Sequence, residues 1–300
     1  MIDRYVMQRT LHPQLQQLLS LLVLFILGKY YAYIHIGWMQ AVGLLFFSGV
    51  VEHLLLLFDQ RKITYVSYSA FSTAIGVMLM LVTYDVWILG VVTVLALMQK
   101  HFIRVNDRHF FNPSNFALIV GMVLFYRQTH IVLGQLGDDI WLRLLVVALA
   151  MMILIRVDRW LISLVFVLSY LLFEYLLVVH YDPVMTFEDI YERFYAVSFV
   201  VFVAFMLTDP RTTPDSKWYQ VLFGAGIAIV AAWMDRHFGF RVQHLFMVLF
   251  LFSVWVPLFG AEISDRKKMF FMTLVLFLLA AGAIIFIENQ PPYYFDMQGT

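Results

Sequence analysis

The sequence predicts an all-α polytopic integral membrane protein with about ten to eleven transmembrane helices and two Asx-Pro helix breaks. Three observations predict it. Of 300 residues, 62% are hydrophobic and only 13% charged, with a mean hydropathy of +0.83, whereas a soluble domain carries about 25% charged residues. Apolar runs near the roughly 20 residues a spanning helix needs recur along the whole chain. Two polar stretches centred on Asn112-Pro113 and Asp209-Pro210 stand out from otherwise short loops. The same balance excludes disorder, which needs low hydrophobicity and high charge. Twenty Lys+Arg against twenty Asp+Glu leave no basic footprint for nucleic acid. With no cysteine, the chain has no disulfide, no Cys-ligated zinc, no iron–sulfur cluster of its own and no thiol catalysis. No metal site is expected, and no hydrolase, kinase or nucleotide motif is present.

The spans follow in order. Residues 15–34 form a long run with no small-residue cleavage site, so no cleavable signal is expected. Residues 37–58 carry Glu52 and His53 in their interior. Residues 64–82 carry the stripe Ser67, Ser69, Ser72 and Thr73, which small-residue helix packing explains. Residues 85–99 and 111–126 are short runs on either side of the first break. Residues 141–157 and 160–179 follow, the latter holding Glu174; residues 193–208 end on the second break. Residues 218–235 contain Gly224 and Gly226, and residues 242–260 and 269–287 complete the set of eleven. Trp38, Trp87, Trp141, Trp160, Trp218 and Trp233 fall at span ends, where an indole buries its ring and wets its N–H.

Basic residues orient the chain. With a cytoplasmic N-terminus, 14 of the 20 Lys and Arg fall in inside segments: Arg4, Arg9, Arg61, Lys62, Lys100, Arg104, Arg108, Arg156, Arg159, Arg211, Lys217, Arg266, Lys267 and Lys268. The other 6 fall outside, which favours N-terminus in and C-terminus out. Both breaks then face the cytoplasm, and the acidic loop 181–192 faces outward.

Each break follows one span and leads into a glycine-bearing span. Proline frees backbone groups, and Asn or Asp before it favours a turn or a helix start. A helix entered this way presents unpaired N–H groups and a positive dipole end. Paired broken helices are a recurring way to build a polar site inside a membrane. The bland reading is that both are ordinary N-caps. The functional reading places Asn112, Pro113, Ser114, Asn115, Thr208, Asp209, Pro210, Thr212 and Thr213 around a neutral ligand rich in donors and acceptors, such as a flavin ring or a quinone. The spacing also suggests two halves, near 1–127 and 141–260, with 261–300 as an extra C-terminal helix and tail.

These motifs resemble the RnfD/NqrB family of electron-transport-complex membrane subunits. Phe110-Phe111-Asn112-Pro113 resembles that family's F-N-P motif, and Thr208-Asp209-Pro210 its T-D-P motif. The resemblance covers residues 15–260, and extends to shorter stand-alone relatives labelled UnbU-like. It implies a ten-helix core with a non-covalent flavin (riboflavin or FMN) site beside the two motifs. The family's covalent flavin motif, S-G-A-T, is not matched around Thr129, so covalent FMN is not expected. Arg104 or Arg108 would hold the phosphate of a bound FMN.

Glu52, His53 and Glu174 are intramembrane polar residues, and such groups default to proton-relay or ligand hypotheses. Pairing with neighbouring helices is the plain alternative, and a bis-His haem on His53 and His244 is the less favoured one. The leading expectation is a redox subunit of the inner membrane that binds a flavin or a quinone near the cytoplasmic face, with the lipid bilayer and other redox subunits as partners. The alternatives are a secondary transporter of a small polar solute and a non-catalytic assembly subunit.

Overall fold

The computed structural model describes residues 13–32, 34, 36–60, 67–105, 107–134, 140–156, 159–259 and 266–290. Among the sequence expectations, those on Arg4, Arg9, Arg61, Lys62 and the tail 291–300 lie outside the described residues, as do the side chains of Arg156 and residues 266–268.

The described residues are helical almost throughout. The first five helices are α1 (Pro13–Tyr31), α2 (Trp38–Gln60), α3 (Tyr68–Met80), α4 (Val86–Phe102) and α5 (Pro113–Leu124). Next come α6 (Ile140–Arg156) and α7 (Trp160–Glu174), the latter prolonged by a π turn at Tyr175–Val179. A short surface helix, α8 (Phe187–Glu192), precedes α9 (Val197–Val201), which continues as a π turn through Phe202–Met206. Then follow α10 (Lys217–Phe238), α11 (Gln243–Ser253) and α12 (Arg266–Glu288). The stretches Trp38–Asp59, Trp160–Val179, Lys217–Phe238 and Met269–Glu288 are each long and apolar enough to cross a membrane. The tryptophans at the span ends are all exposed, as interfacial anchors should be.

Contacts fix the direction of each helix. Asp59 at the end of α2 meets His101 and Arg104 at the end of α4. Arg108, before α5, and Arg159, before α7, both reach Asp215, before α10. These groups define the motif end of the bundle. Opposite is the distal end, where β1 (Leu81–Val82) pairs with β4 (His130–Ile131), and Arg241 meets Glu288. Helices other than α8 therefore alternate in direction, and among the described residues eleven helical segments run between the two ends.

Four of those segments are the shortest: α3 with 13 residues, α5 with 12, α9 with its π turn at 10, and α11 with 11. They are the third and fifth helices of α1–α5, and again of the second series α6, α7, α9, α10 and α11. Because five helices separate equivalent members, the second series runs in the opposite sense. The four short helices supply much of the buried core.

The helix bounds correct one sequence expectation. The fourth span is short, at 17 residues, but it ends later than expected, because α4 continues through Lys100 and His101. Their charge does not end the helix: Lys100 Nζ meets Glu52 Oε1 at 2.5 Å, and His101 Nδ1 meets Asp59 Oδ2 at 3.1 Å. The eighth span begins later than its hydropathy suggests. Arg193–Tyr195 form a separate 3-10 turn, Ala196 is extended, and α9 starts only at Val197. Helix α11 stops at Ser253, and a 3-10 turn at Val256–Phe259 contains Pro257, which cannot donate to a continuing helix.

Short helices leave backbone groups open within the bundle, and straps of chain satisfy them. At the distal end, Val132 N donates to Met80 O (3.0 Å), while Val197 N donates to Gly134 O (2.9 Å) and Ser198 N to Leu133 O (3.2 Å). At the motif end, β2 (Arg104–Val105) and β3 (Arg108–His109) form the corresponding hairpin, turned at Asp107 with φ +60°.

Candidate functional site

The first break is the start of α5. Asn112 is its N-cap: the side-chain oxygen accepts from Asn115 N at 3.2 Å, with Pro113 at the first helical position. The bland capping role is therefore real, and it occupies only the oxygen. The amide nitrogen of Asn112 points across the bundle and donates to Asp209 Oδ2 at 3.4 Å. Asp209 in turn accepts from Arg211 N through Oδ1 at 3.0 Å, closing an Asx turn just after α9. Thr208 Oγ1 donates back to Ala204 O at 2.6 Å, and Thr213 Oγ1 to Asp209 O at 2.8 Å.

Arg108 holds this second break in place. Its Nε donates to Arg211 O (2.7 Å) and its Nη2 to Thr213 O (2.7 Å) and to Pro210 O. Its Nη1 meets Asp215 Oδ2 at 2.9 Å. Arg159 supports the same loop through Pro214 O (2.7 Å) and Asp215 Oδ1 (2.5 Å). Partial burial alone would raise the Asp215 carboxyl, but the two guanidiniums overcome it and hold the group below the usual carboxylate range.

Between the breaks lies a cavity of about 310 Å³. Asn112, Pro113, Ser114, Thr208, Asp209 and Pro210 line it, so six of the nine residues expected at a ligand site share one wall. Asn115, Thr212 and Thr213 are buried behind that wall rather than in it. The opposite wall comes from α3, with Ser69, Ser72, Thr73 and Gly76, and from α1, with Gln14, Gln16 and Gln17. Ile153, Val201, Phe205 and Met206 supply an apolar flank. The serine stripe therefore combines packing with cavity lining: Ser114 Oγ donates to Thr73 O at 3.3 Å, and a Cβ at Gly76 would lie 2.5 Å from that hydroxyl.

Sequence reasoning missed the lining residues His109 and Arg211, which flank the two motifs, as well as Gln14, Gln16 and Gln17. His109 is buried, and burial pushes its imidazole down to about 4, against the opposing pull of Asp209. Arg211, Lys100 and Arg108 push it further down. The signal that could have found it is its place three residues before Asn112, on the strand that feeds α5.

The phosphate expectation changes. Arg104 is engaged with Asp59 at 2.5 Å, and Arg108 with the second break, so neither guanidinium is open toward the cavity. Arg211 is the guanidinium at its edge. The intramembrane acids separate. Glu52 is paired with Lys100 and His101 near the motif end. Glu174 is fully buried near the distal end. His53 Nδ1 approaches Gly49 O at 2.6 Å within its own helix, while His244 starts α11 at the distal end, so no haem can join them. Thr129 is buried, and its hydroxyl donates to Phe125 O at 3.1 Å. Among the described residues no group of three or more His, Asp or Glu side chains is arranged to hold a metal ion.

Residues 122–270 match the sequence profile of the NQR2, RnfD, RnfE family. The chain is an RnfD/NqrB-like membrane protein. RnfD/NqrB-like proteins are membrane subunits of electron-transport complexes. The matched stretch runs from the end of α5 into the start of α12 and includes the Thr208-Asp209-Pro210 break, while the Asn112-Pro113 break precedes it. No curated protein matches the chain.

Proposed function

We propose that this RnfD/NqrB-like protein is a membrane redox subunit that binds a flavin or a quinone non-covalently in the cavity between its two Asx-Pro breaks. The observation that carries this reading is the junction of both breaks on one wall of a 310 Å³ cavity, through Asn112 and Asp209. That volume is at the low end of ligand sites, which run roughly 300–1,000 Å³. It suits a fused ring or a quinone head, with any chain extending through the mouth. The lining fits such a ring: hydroxyls and amides on two sides, Phe205, Met206 and Ile153 on a third. The cofactor would supply the electron chemistry, and the protein its position and hydrogen bonds. Asn112, Ser114 and Thr208 would meet polar ring atoms, and Arg211 an anionic substituent. The excess of basic residues at the motif end supports a cytoplasmic site in the inner membrane, with the C-terminus outside. Other redox subunits would exchange electrons with it there.

The test is an absorbance spectrum of purified protein with extraction of any cofactor. A colourless protein that takes up no riboflavin, FMN or quinone would sink the proposal.

One observation favours a second reading. Short helices at the third and fifth places of two oppositely directed series are an arrangement that secondary transporters use. Uptake of a polar solute into proteoliposomes without any redox donor would favour transport over electron transfer.

A further inference from the structure

The distal end holds a buried ionisable cluster that the cofactor reading does not use. We infer that Glu174, together with the Asp235–His244 pair, forms a proton-exchange site that communicates with the distal cavity. This rests on separate residues from the proposed redox site and needs no cofactor.

Each element packed there contributes one or two groups. Helix α7 brings Tyr170 and Glu174, the 3-10 turn Arg193, α10 Asp235, and α12 Glu288. The start of α11 and the turn before it bring His244 and Arg241. Asp235 is the hub: Oδ2 meets Arg193 Nη1 at 3.0 Å, and Oδ1 meets His244 Nδ1 at 2.5 Å and Arg241 N at 2.9 Å. Arg193 Nη1 also donates to Tyr170 OH at 2.6 Å. The far nitrogen of His244 faces Glu288 Oε1 at 3.3 Å, and Arg241 reaches Glu288 Oε2 at 3.3 Å. The imidazole thus lies between two carboxylates.

Glu174 is different. It is 0% exposed, and its oxygens make no hydrogen bond of good geometry, with only Asp235 and Tyr170 among the described residues near enough to share a proton. It stands at the junction where α7 turns into π geometry, beside Asp235 and Tyr170. Such π turns occur frequently at functional sites. An unpaired carboxylate in that position would be costly.

Charge counting reaches the same place. Three buried carboxylates, Glu174, Asp235 and Glu288, face one buried guanidinium, Arg193, and the exposed Arg241 at the rim, so even with both guanidiniums counted neutrality needs one further proton. That proton has two homes. It rests on Glu174 with His244 neutral, or on His244 with Glu174 ionised. Passage between them breaks an N–H bond on the imidazolium and forms an O–H bond on Glu174, by way of the Asp235 carboxylate, and the net charge stays constant. The route outward is also present. His130, Asp189, Glu192, Arg193, Arg241 and Gln243 line a distal cavity of about 620 Å³, and Gln243 Nε2 donates to Glu288 Oε1 at 2.8 Å. This cavity sits before α11 as the other sits before α5, at opposite ends of the two helix series.

Infrared spectroscopy of the full chain in nanodiscs, titrated with pH in H₂O and in D₂O, tests the inference. The expected result is a carboxylic-acid C=O band that disappears in Glu174→Gln, shifts to lower frequency in D₂O, and is lost at a different pH in His244→Gln. Asp235→Asn gives a second reading of the same coupling should His244→Gln fail to fold. A spectrum in which Glu174→Gln removes no such band, or in which the band does not respond to D₂O or pH, overturns it.

Discussion

Asn112 and Asp209, 97 residues apart in sequence, share a hydrogen bond of 3.4 Å that joins the start of α5 to the turn after α9. Both residues also cap their own segments, Asn112 through its oxygen and Asp209 through Oδ1. Substitutions can therefore separate the cap from the bridge. Asn112→Ser keeps a capping hydroxyl and loses the bridge, whereas Asn112→Leu loses both. Loss of an N-cap costs about 1 kcal/mol. Leu at 112 is expected to lower the melting temperature and abolish cofactor retention; Ser is expected to lower retention with a smaller stability change. Thermal melting and cofactor stoichiometry of the two variants check this.

Arg108 holds four acceptors of the second break. Arg108→Ala removes four hydrogen bonds, three of them exposed, and the expected loss is about 1 kcal/mol. Lysine cannot reproduce the fork, so Arg108→Lys should recover little of that stability. Limited proteolysis is expected to cut within residues 208–216 in both variants before it cuts the wild type there.

The motif end should weaken on acidification in two steps. His109 has a folded value of about 4 against an ordinary 6.5, so the unfolded chain takes up its proton first. Stability from the neutral imidazole is complete above 6.5 and lost as pH falls from 6.5 through about 4. Asp215 is held below its ordinary 3.8, so its contribution is complete above that value and lost only as pH falls below it. Melting curves from pH 7 to pH 4 should slope downward in the wild type and flatten in His109→Gln. An equal slope in both would contradict the assignment.

Close helix approach at glycine can be tested by contrast. A Cβ at Gly224 would lie 2.8 Å from the backbone oxygen of Ile162, while one at Gly43 meets nothing within 4 Å. Gly224→Ala is expected to destabilise by about 1–3 kcal/mol, typical of overpacking. Gly43→Ala should leave the melting temperature unchanged.

Much of this was legible in the sequence. Hydropathy placed eleven segments, and the two Asx-Pro dipeptides marked the turns that meet at the cavity. Hydropathy marked the fourth and fifth segments as short, but it could not give where each helix ends, because a helix end depends on partners distant in sequence. Lys100 and His101 looked like a loop until Glu52 and Asp59 were placed beside them. Arg193 looked like the start of a span, yet its pairing with Asp235 holds it in a turn. Arg108 looked free to bind a phosphate, and the carbonyls that occupy it lie more than a hundred residues away. Backbone acceptors leave no mark in a sequence pattern. The distal cluster was half visible: Glu174 stood out as an intramembrane acid, but Asp235 carried no signal of its own and His244 suggested only a haem ligand.

The central claim is that the space between Asn112 and Asp209 is a ligand site. A cryo-electron-microscopy map of the protein purified without added cofactor tests it most directly. The account predicts planar ring density against Asn112, Ser114 and Thr208. Detergent or lipid tails in that space, or no density at all, would contradict it.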